Sequence, residues 1–395
     1  MQTPQYIWQH AHWQNFHFDS AALLQPLASV RKAQGRLLGL IEDLRLDDSM
    51  RVQAVSLEED VIQTAAIEGE ALDRESVRSS IARHLGLPHA GLRPADRAAD
   101  GLVQILLDAT RNYTSPLTAE RLYGWHAALF PTGYSGLHKI TVAGWRTSPM
   151  QVVSGPVGKQ TVHYEAPSPE MLDDEMRLFF HWWEKGLDSM DGIIRAALAH
   201  FYFVTIHPFD DGNGRLARCI ADMALAQDEK TGMRFYSLSA QMMAERESYY
   251  EVLERTQKGS GDTTLWLLWF FGCLERAIIA AASTLNRVLF KAGFWKRHSD
   301  TPLSERQRKV LNRLLDAGPD GFEGGLSTRK YMGMAKTSRA TAWREIEDLL
   351  KKGLLQPLPG GGRSTAYTIA WEPGILIHAA KSGNSPARPS SKKPH

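Results

Sequence analysis

Apolar residues recur at steps of one, three or four along two stretches of the chain, Ile193, Ala197, Leu198, Phe201 and Val204 in the first and Leu216, Cys219, Ile220, Met223 and Ala224 in the second. That spacing marks two buried helices. Between them runs HPFDDGNGRLAR, His207 to Arg218, which packs a histidine, two aspartates, two glycines around an asparagine and two arginines into twelve residues. The polar cluster therefore occupies a tight loop between two core helices, with Asp-Gly-Asn-Gly at the N-terminus of the second.

The chain around this loop has 395 residues, more than one compact core usually holds, so two or three domains are expected. Residues 1–94 read as an N-terminal helical region with an aromatic, histidine-rich opening. From 95 to 296 helix follows helix, broken once by Val142 to Pro169, which alternates β-branched and polar residues around SGPVG and reads as a hairpin. Such a hairpin has little core to bury and is expected to cover something. Residues 301–371 form a separate small domain of three helices and a Gly-rich hairpin. The tail, 372–395, is rich in Ser, Pro and Lys and reads as disordered and basic. The expected fold is mainly α.

The apolar segments are each interrupted by charge short of the roughly eighteen residues a span needs, so no membrane span is expected. The N-terminus lacks a secretory pattern, and only Cys219 and Cys273 are present, which fits a reducing cytoplasm without a disulfide framework. Net charge is +2, unevenly spread: residues 301–371 hold 12 Lys and Arg against 7 Asp and Glu, whereas the first 300 hold 30 against 36. A basic C-terminal portion on an acidic body points weakly to an anionic partner for that portion.

A helix N-terminus presents unpaired N–H groups and partial positive charge, and flanking glycines let an anion approach the backbone. Arg215 and Arg218, three residues apart, can reach one anion from the first helical turn. Asp211 would repel a phosphate unless a divalent cation such as Mg²⁺ lies between them. His207 supplies a base that titrates near neutrality.

These residues match every fixed position of the signature of Fic domains, which this segment resembles, and the resemblance extends over roughly residues 95–285 to include the hairpin and YYEVLERTQKG downstream. It implies a helical Fic core with one β-hairpin flap and transfer of AMP from ATP to a protein hydroxyl. His207 would take the proton of a target Ser, Thr or Tyr, Phe209 would anchor the loop, and Asp211 would hold Mg²⁺ against the phosphates. Gly212, Asn213 and Gly214 would cradle the phosphates, Arg215 would contact them, and Arg218 would grip the γ-phosphate. Val152 and Val153 lie in the target-docking flap, and Tyr250 and Gln257 are candidates for lining the nucleoside.

Upstream, TAAIEGE (Thr64 to Glu70) ends a helix, with Thr64 and Glu68 on one face and Gly69 suited to the left-handed position past the helix end. A Glu in a last turn opposes the helix dipole, so a cation should compensate it. The stretch is similar to the Fic inhibitory motif, which implies that Glu68 pairs with Arg218 and blocks a productive γ-phosphate. The C-terminal domain looks like a winged helix-turn-helix, with Arg339, Thr341 and Arg344 near the start of its recognition helix and Arg363 in the wing, able to serve DNA or a protein partner. Two competing functions remain: a nucleotide-sensing transcriptional regulator, and removal of AMP by the same site. The target is unknown, self-modification is included, and a homodimer is left open.

Overall fold

The computed structural model of the 395-residue chain describes residues 5–42, 44, 46–87, 94–155, 159–318, 322, 324–358 and 366–370. The helices are α1 (Ser20–Glu42), α2 (Leu46–Ile67), α3 (Arg74–Leu85), α4 (Arg97–Arg111), α5 (Ala119–Leu129), α6 (Leu172–Ser189), α7 (Gly192–Ile206), α8 (Asn213–Glu229), α9 (Leu238–Ala244), α10 (Arg246–Gln257), α11 (Thr264–Arg297), α12 (Glu305–Ala317), α13 (Thr328–Ala335) and α14 (Arg339–Lys351). The strands are β1 (Tyr134–Ser135), β2 (His138–Lys139), β3 (Gln151–Ser154), β4 (Thr161–Glu165), β5 (Leu355–Pro357) and β6 (Tyr367–Ile369), paired in order as three antiparallel ribbons. The fold is mainly helical.

The chain divides into two compact units, Met1–Ala281 and Ala282–His395. The division falls inside α11, upstream of the break after residue 296 that composition suggests. The reason lies in the side chains: Phe290 and Phe294 of α11 are buried in the second unit's core with Val310, Leu314, Ile346 and Leu349. By length and composition α11 would also suit a membrane span, with a mean hydropathy of 1.6 over its most apolar window. Its apolar character has another explanation, since Trp266, Leu267, Phe270, Phe271 and Leu274 are wholly buried in the first unit.

The first unit is built around α7 and α8. Asp191 caps α7 by accepting from the N–H groups of Ile193 (2.9 Å) and Ile194 (3.3 Å). Almost every residue of α7 is buried, as expected of a helix apolar on all sides. The helix ends at His207, whose left-handed backbone (φ 53°) turns the chain sharply, and Gly212 (φ 82°) turns it again into α8.

The Val142–Pro169 hairpin is present as β3–β4, with Val153 opposite Val162 and a bulge between Val152 and Val153. A second, shorter ribbon, β1–β2, interrupts the helical run as well, contrary to the single break expected. Its two-residue strands are too short to leave any alternation in the sequence.

Candidate functional site

The polar loop is held from beneath by two interlocking supports. Phe209 is wholly buried and lies flat on the ring of His126, with centroids 4.2 Å apart and planes 8° apart. His126 in turn donates from Nε2 to the carbonyl of Asp211 (3.2 Å), and burial pushes its pKa down to about 4, so it stays neutral. The side chain of Asn213 forms the second support. It accepts from Phe209 N–H (3.0 Å) and donates to Phe209 C=O (2.8 Å), and it is 2% exposed. Asn213 was expected to cradle phosphate, but its side chain is committed to the loop itself, and any contact with an anion falls to backbone N–H groups.

Those N–H groups have no side-chain cap. The N-cap of α8 is Gly212, which has no side chain to satisfy them, so the first turn of the helix keeps its donors and its positive dipole end. A Cβ on Gly212 would also press to 2.9 Å from the Phe130 ring. Asp211 accepts from Ser135 Oγ of the β1–β2 ribbon and from Gly212 N–H (2.5 Å).

His207 is half-buried at the head of this loop. Its Nδ1 lies 3.1 Å from the carbonyl of Val204, which can only accept, so Nδ1 carries the proton and the lone pair sits on Nε2. Burial lowers the pKa of the imidazole, against the opposing pull of the Val204 bond and of Glu68 and Asp211. The ring is a neutral acceptor at pH 7.

Two buried arginines flank the loop, and each meets a glutamate from the end of α2. Arg218, 1% exposed, donates from Nη2 to Glu68 Oε1 (2.8 Å) and to Thr64 O (2.9 Å), and from Nε to Thr64 Oγ1. Burial works against its charge, but Glu68 outweighs it and the guanidinium is held above its ordinary pKa. Arg215, 4% exposed, donates from Nη1 to Glu70 Oε2 at 2.6 Å and lies over the Phe130 ring. Arg218 Nη1 and Arg215 Nε remain buried without partners.

The placement of both glutamates follows from how α2 ends. Gly69, with φ 83°, closes the helix through bonds from Gly69 N to Ala66 O (3.0 Å) and from Glu70 N to Ala65 O (3.0 Å), so the chain folds back on itself. Glu68 and Glu70 are thereby turned toward the same turn of α8. The cation expected at this helix end is supplied twice, by Arg218 on Thr64 O (2.9 Å) and by Arg246 Nε on Ile67 O (3.0 Å), with the neutral hydroxyl of Tyr250 also donating to Ile67 O (3.3 Å).

Comparison with known proteins places this site. The model of the Fic/DOC family matches residues 116–225, which include the whole polar loop and both arginines, and a domain of unknown function, DUF4172, matches residues 6–87. The chain carries a Fic domain. Over 115 residues the chain is 36% identical to a protein adenylyltransferase Fic from Nematostella vectensis, a match covering 29% of this chain and 25% of that one. Over 117 residues it is 33% identical to a uridine 5'-monophosphate transferase from Xanthomonas campestris pv. campestris, covering 28% and 21%. The chain thus spans a quarter or less of the length of these curated relatives. Among solved structures, a Fic family protein from Desulfovibrio desulfuricans superposes with a TM-score of 0.52 at 17% identity, covering 89% of this chain and 97% of that one. A Fic domain containing signaling protein from Bacteroides thetaiotaomicron gives 0.51 at 17%, covering 66% and 97%. Both likenesses concern the fold.

Around the Fic domain the remaining expected residues are distributed unevenly. Val152 is half-buried against the Tyr6 and Tyr164 cluster, while Val153 is 40% exposed on the flap. Tyr250 lies at the site, bonded to the end of α2. Gln257 is 4% exposed and donates to Thr205 Oγ1 (3.2 Å), a core contact that leaves its side chain little room to line a nucleoside. Arg339 and Arg344 are exposed and Thr341 is half-buried at the start of α14, where Ser338 caps the helix. Arg363 lies outside the described residues. Glu70, Ser135, Arg146 and Arg246 were not anticipated. Only Glu70 had a legible signal, because a left-handed Gly69 forces the following residue back toward the helix.

Proposed function

We propose that the Fic domain transfers AMP from ATP to a Ser, Thr or Tyr hydroxyl of a protein, and that Glu68 restrains it by occupying Arg218. One observation carries this reading. A neutral imidazole with its lone pair on Nε2 stands beside an uncapped helix N-terminus flanked by two buried guanidinium groups, each with a donor to spare. That is equipment for binding a polyphosphate and accepting a proton next to it.

In the reaction, the target hydroxyl oxygen forms a bond to the α-phosphorus, the bond from that phosphorus to the bridging oxygen breaks, and pyrophosphate leaves. The hydroxyl proton passes to His207 Nε2. Backbone N–H groups of the Asn213–Arg215 turn and the arginines receive the phosphate charge.

Among the described residues no group of three or more His, Cys, Asp or Glu could enclose a metal ion. This fits Mg²⁺ bound as it usually is with nucleotides, through one or two carboxylates plus phosphate oxygens and water, with Asp211 as the protein ligand. Bound there, the ion would neutralise phosphate charge as pyrophosphate leaves.

The Nematostella relative is named for adenylyl transfer and the Xanthomonas relative for uridine 5'-monophosphate transfer, so the choice of base is a matter for experiment. Incubation of the chain and of its Glu68→Gly variant with α-labelled ATP or UTP and Mg²⁺ tests the reading. Label on protein supports it, label released only as free nucleotide favours water as acceptor and the AMP-removing direction, and neither overturns it.

For the second unit we favour a DNA-binding winged helix, because Arg339 and Arg344 stand exposed at the N-terminal end of α14. Salt-dependent binding to duplex DNA, lost in the Arg339→Ala, Arg344→Ala double variant, is the expected result. The exposed Trp343 on the same helix makes a protein partner the outcome if no duplex binds.

A further inference from the structure

A two-stranded ribbon is marginal on its own. The flap β3–β4 therefore needs an external frame, and the frame centres on a residue with no role assigned so far. Arg146 is 2% exposed, and among the described residues it forms no ion pair. Its guanidinium is spent on backbone carbonyls. Nη1 donates to Ser148 O (2.9 Å), just before β3, and Nη2 donates to Pro167 O, just after β4. Nε donates to His207 O (2.8 Å), and the backbone N–H of Arg146 donates to Pro208 O (2.9 Å). One side chain thus ties both feet of the flap to the carbonyl of the residue proposed as base.

A second strut ends in the same place. Tyr164 of β4, 2% exposed, donates from its hydroxyl to Thr205 O (2.6 Å), two residues before His207. The foot of β4 is held by Trp8 as well, whose indole donates to Glu165 O (2.8 Å).

Burying a cation without a directly paired carboxylate is costly, and burial does lower the affinity of Arg146 for its proton, against the opposing pull of Asp210. Structural need alone would be met more cheaply by an apolar residue. The planar guanidinium fork offers what an apolar group or a lysine cannot: fixed donors aimed at three separate carbonyls at once.

From this geometry we infer that Arg146 is a positioning residue: it makes the flap and His207 one rigid body, so that a protein segment lying along the flap presents its hydroxyl at a set height over Nε2. The inference rests on the AMP-transfer reading for its function, though not for its structural content.

The test uses the full chain in the Glu68→Gly background, with a His207→Ala copy of the chain as the protein acceptor at varied concentration. Arg146→Lys, which keeps the charge and loses the fork, is expected to lower kcat/KM for that acceptor by about ten- to a hundredfold, the scale of a misplacement near 1 Å. Its affinity for Mg²⁺-ATP, measured by calorimetry, is expected to be unchanged. Equal loss of nucleotide affinity, or an unchanged kcat/KM, would overturn the inference. Amide hydrogen exchange gives an independent reading: Arg146→Lys should speed exchange at Val153 and Val162 and leave α7 protected. If the flap exchanges at the parental rate, the clamp is refuted whatever the activity. Should the parent label nothing and release no AMP, the AMP-transfer reading fails while exchange still decides the clamp. Should Arg146→Lys not fold, Tyr164→Phe removes a single hydrogen bond from the second strut and is expected to move the same two readouts in the same direction.

Discussion

Gly214 and Glu68 stand so close that a Cβ built on Gly214 would lie 2.2 Å from Glu68 Oε1. On the proposed reading, a glycine at this position serves two ends. It bares the helix N-terminus to an anion, and it lets a carboxylate from another helix take up the space an anion would use.

If the proposed restraint holds, removing that carboxylate should raise AMP transfer. Glu68→Gly is expected to raise AMP transfer, self-modification included, by about 5- to 150-fold, the usual span of a coupling between a regulatory contact and a ligand. Arg218→Ala in the same background should erase the gain, because both changes act through one contact and cannot add. Labelled AMP incorporated by wild type, each single variant and the double variant is the measurement. No change in Glu68→Gly would refute the restraint, and a fall would favour the water-directing role.

Glu70 bonds Arg215 as Glu68 bonds Arg218, but 44% of its side chain is exposed, so its hold is weaker. Glu70→Gln should raise affinity for Mg²⁺-ATP by up to about fivefold, the size expected of a partly exposed ion pair. In a Glu68→Gly background the two gains should multiply, since the two arginines are separate partners. Calorimetric titration of the four combinations checks this. An affinity indifferent to Glu70 would mean that Arg215 does not meet the phosphates.

His207→Ala should cost about 10²- to 10⁴-fold in transfer while ATP still binds, because it removes a base and none of the phosphate donors. The pH dependence has a definite sign. Burial lowers the pKa of His207, so the base is free above that lowered value and activity falls only as pH drops through it. The acid limb of kcat/KM should lie below the ordinary histidine value of about 6.5. An acid limb centred at or above that value would contradict the burial of the imidazole.

Asn213→Ala leaves the N–H and C=O of Phe209 without their partners in a buried loop. A loss of about 1–3 kcal/mol in unfolding free energy is expected. Activity should fall more than the loss of one phosphate contact would explain, because the whole loop loosens. Denaturant melts paired with transfer rates test both, and full stability would show that the ring Asn213 closes around Phe209 is dispensable.

Local pattern in the amino-acid sequence determined the two core helices, the polar loop between them, the flap and the helix that ends at Gly69, because each depends on spacing and turn chemistry within a few residues. It also determined which residue types are present for anion binding and proton transfer. The tertiary structure alone decided how they are used. Asn213 looks like an anion ligand in the sequence, but its side chain is drawn into the loop by Phe209, which is itself pinned by His126 from a helix that precedes it by some eighty residues. Gln257 looks available and is buried against Thr205. Arg146 carries no motif at all, and its importance lies in three carbonyls brought around it from Ser148, Pro167 and His207. Backbone carbonyls are the same in every sequence, so the directions they point, and the side chains they recruit, exist only once the chain has folded.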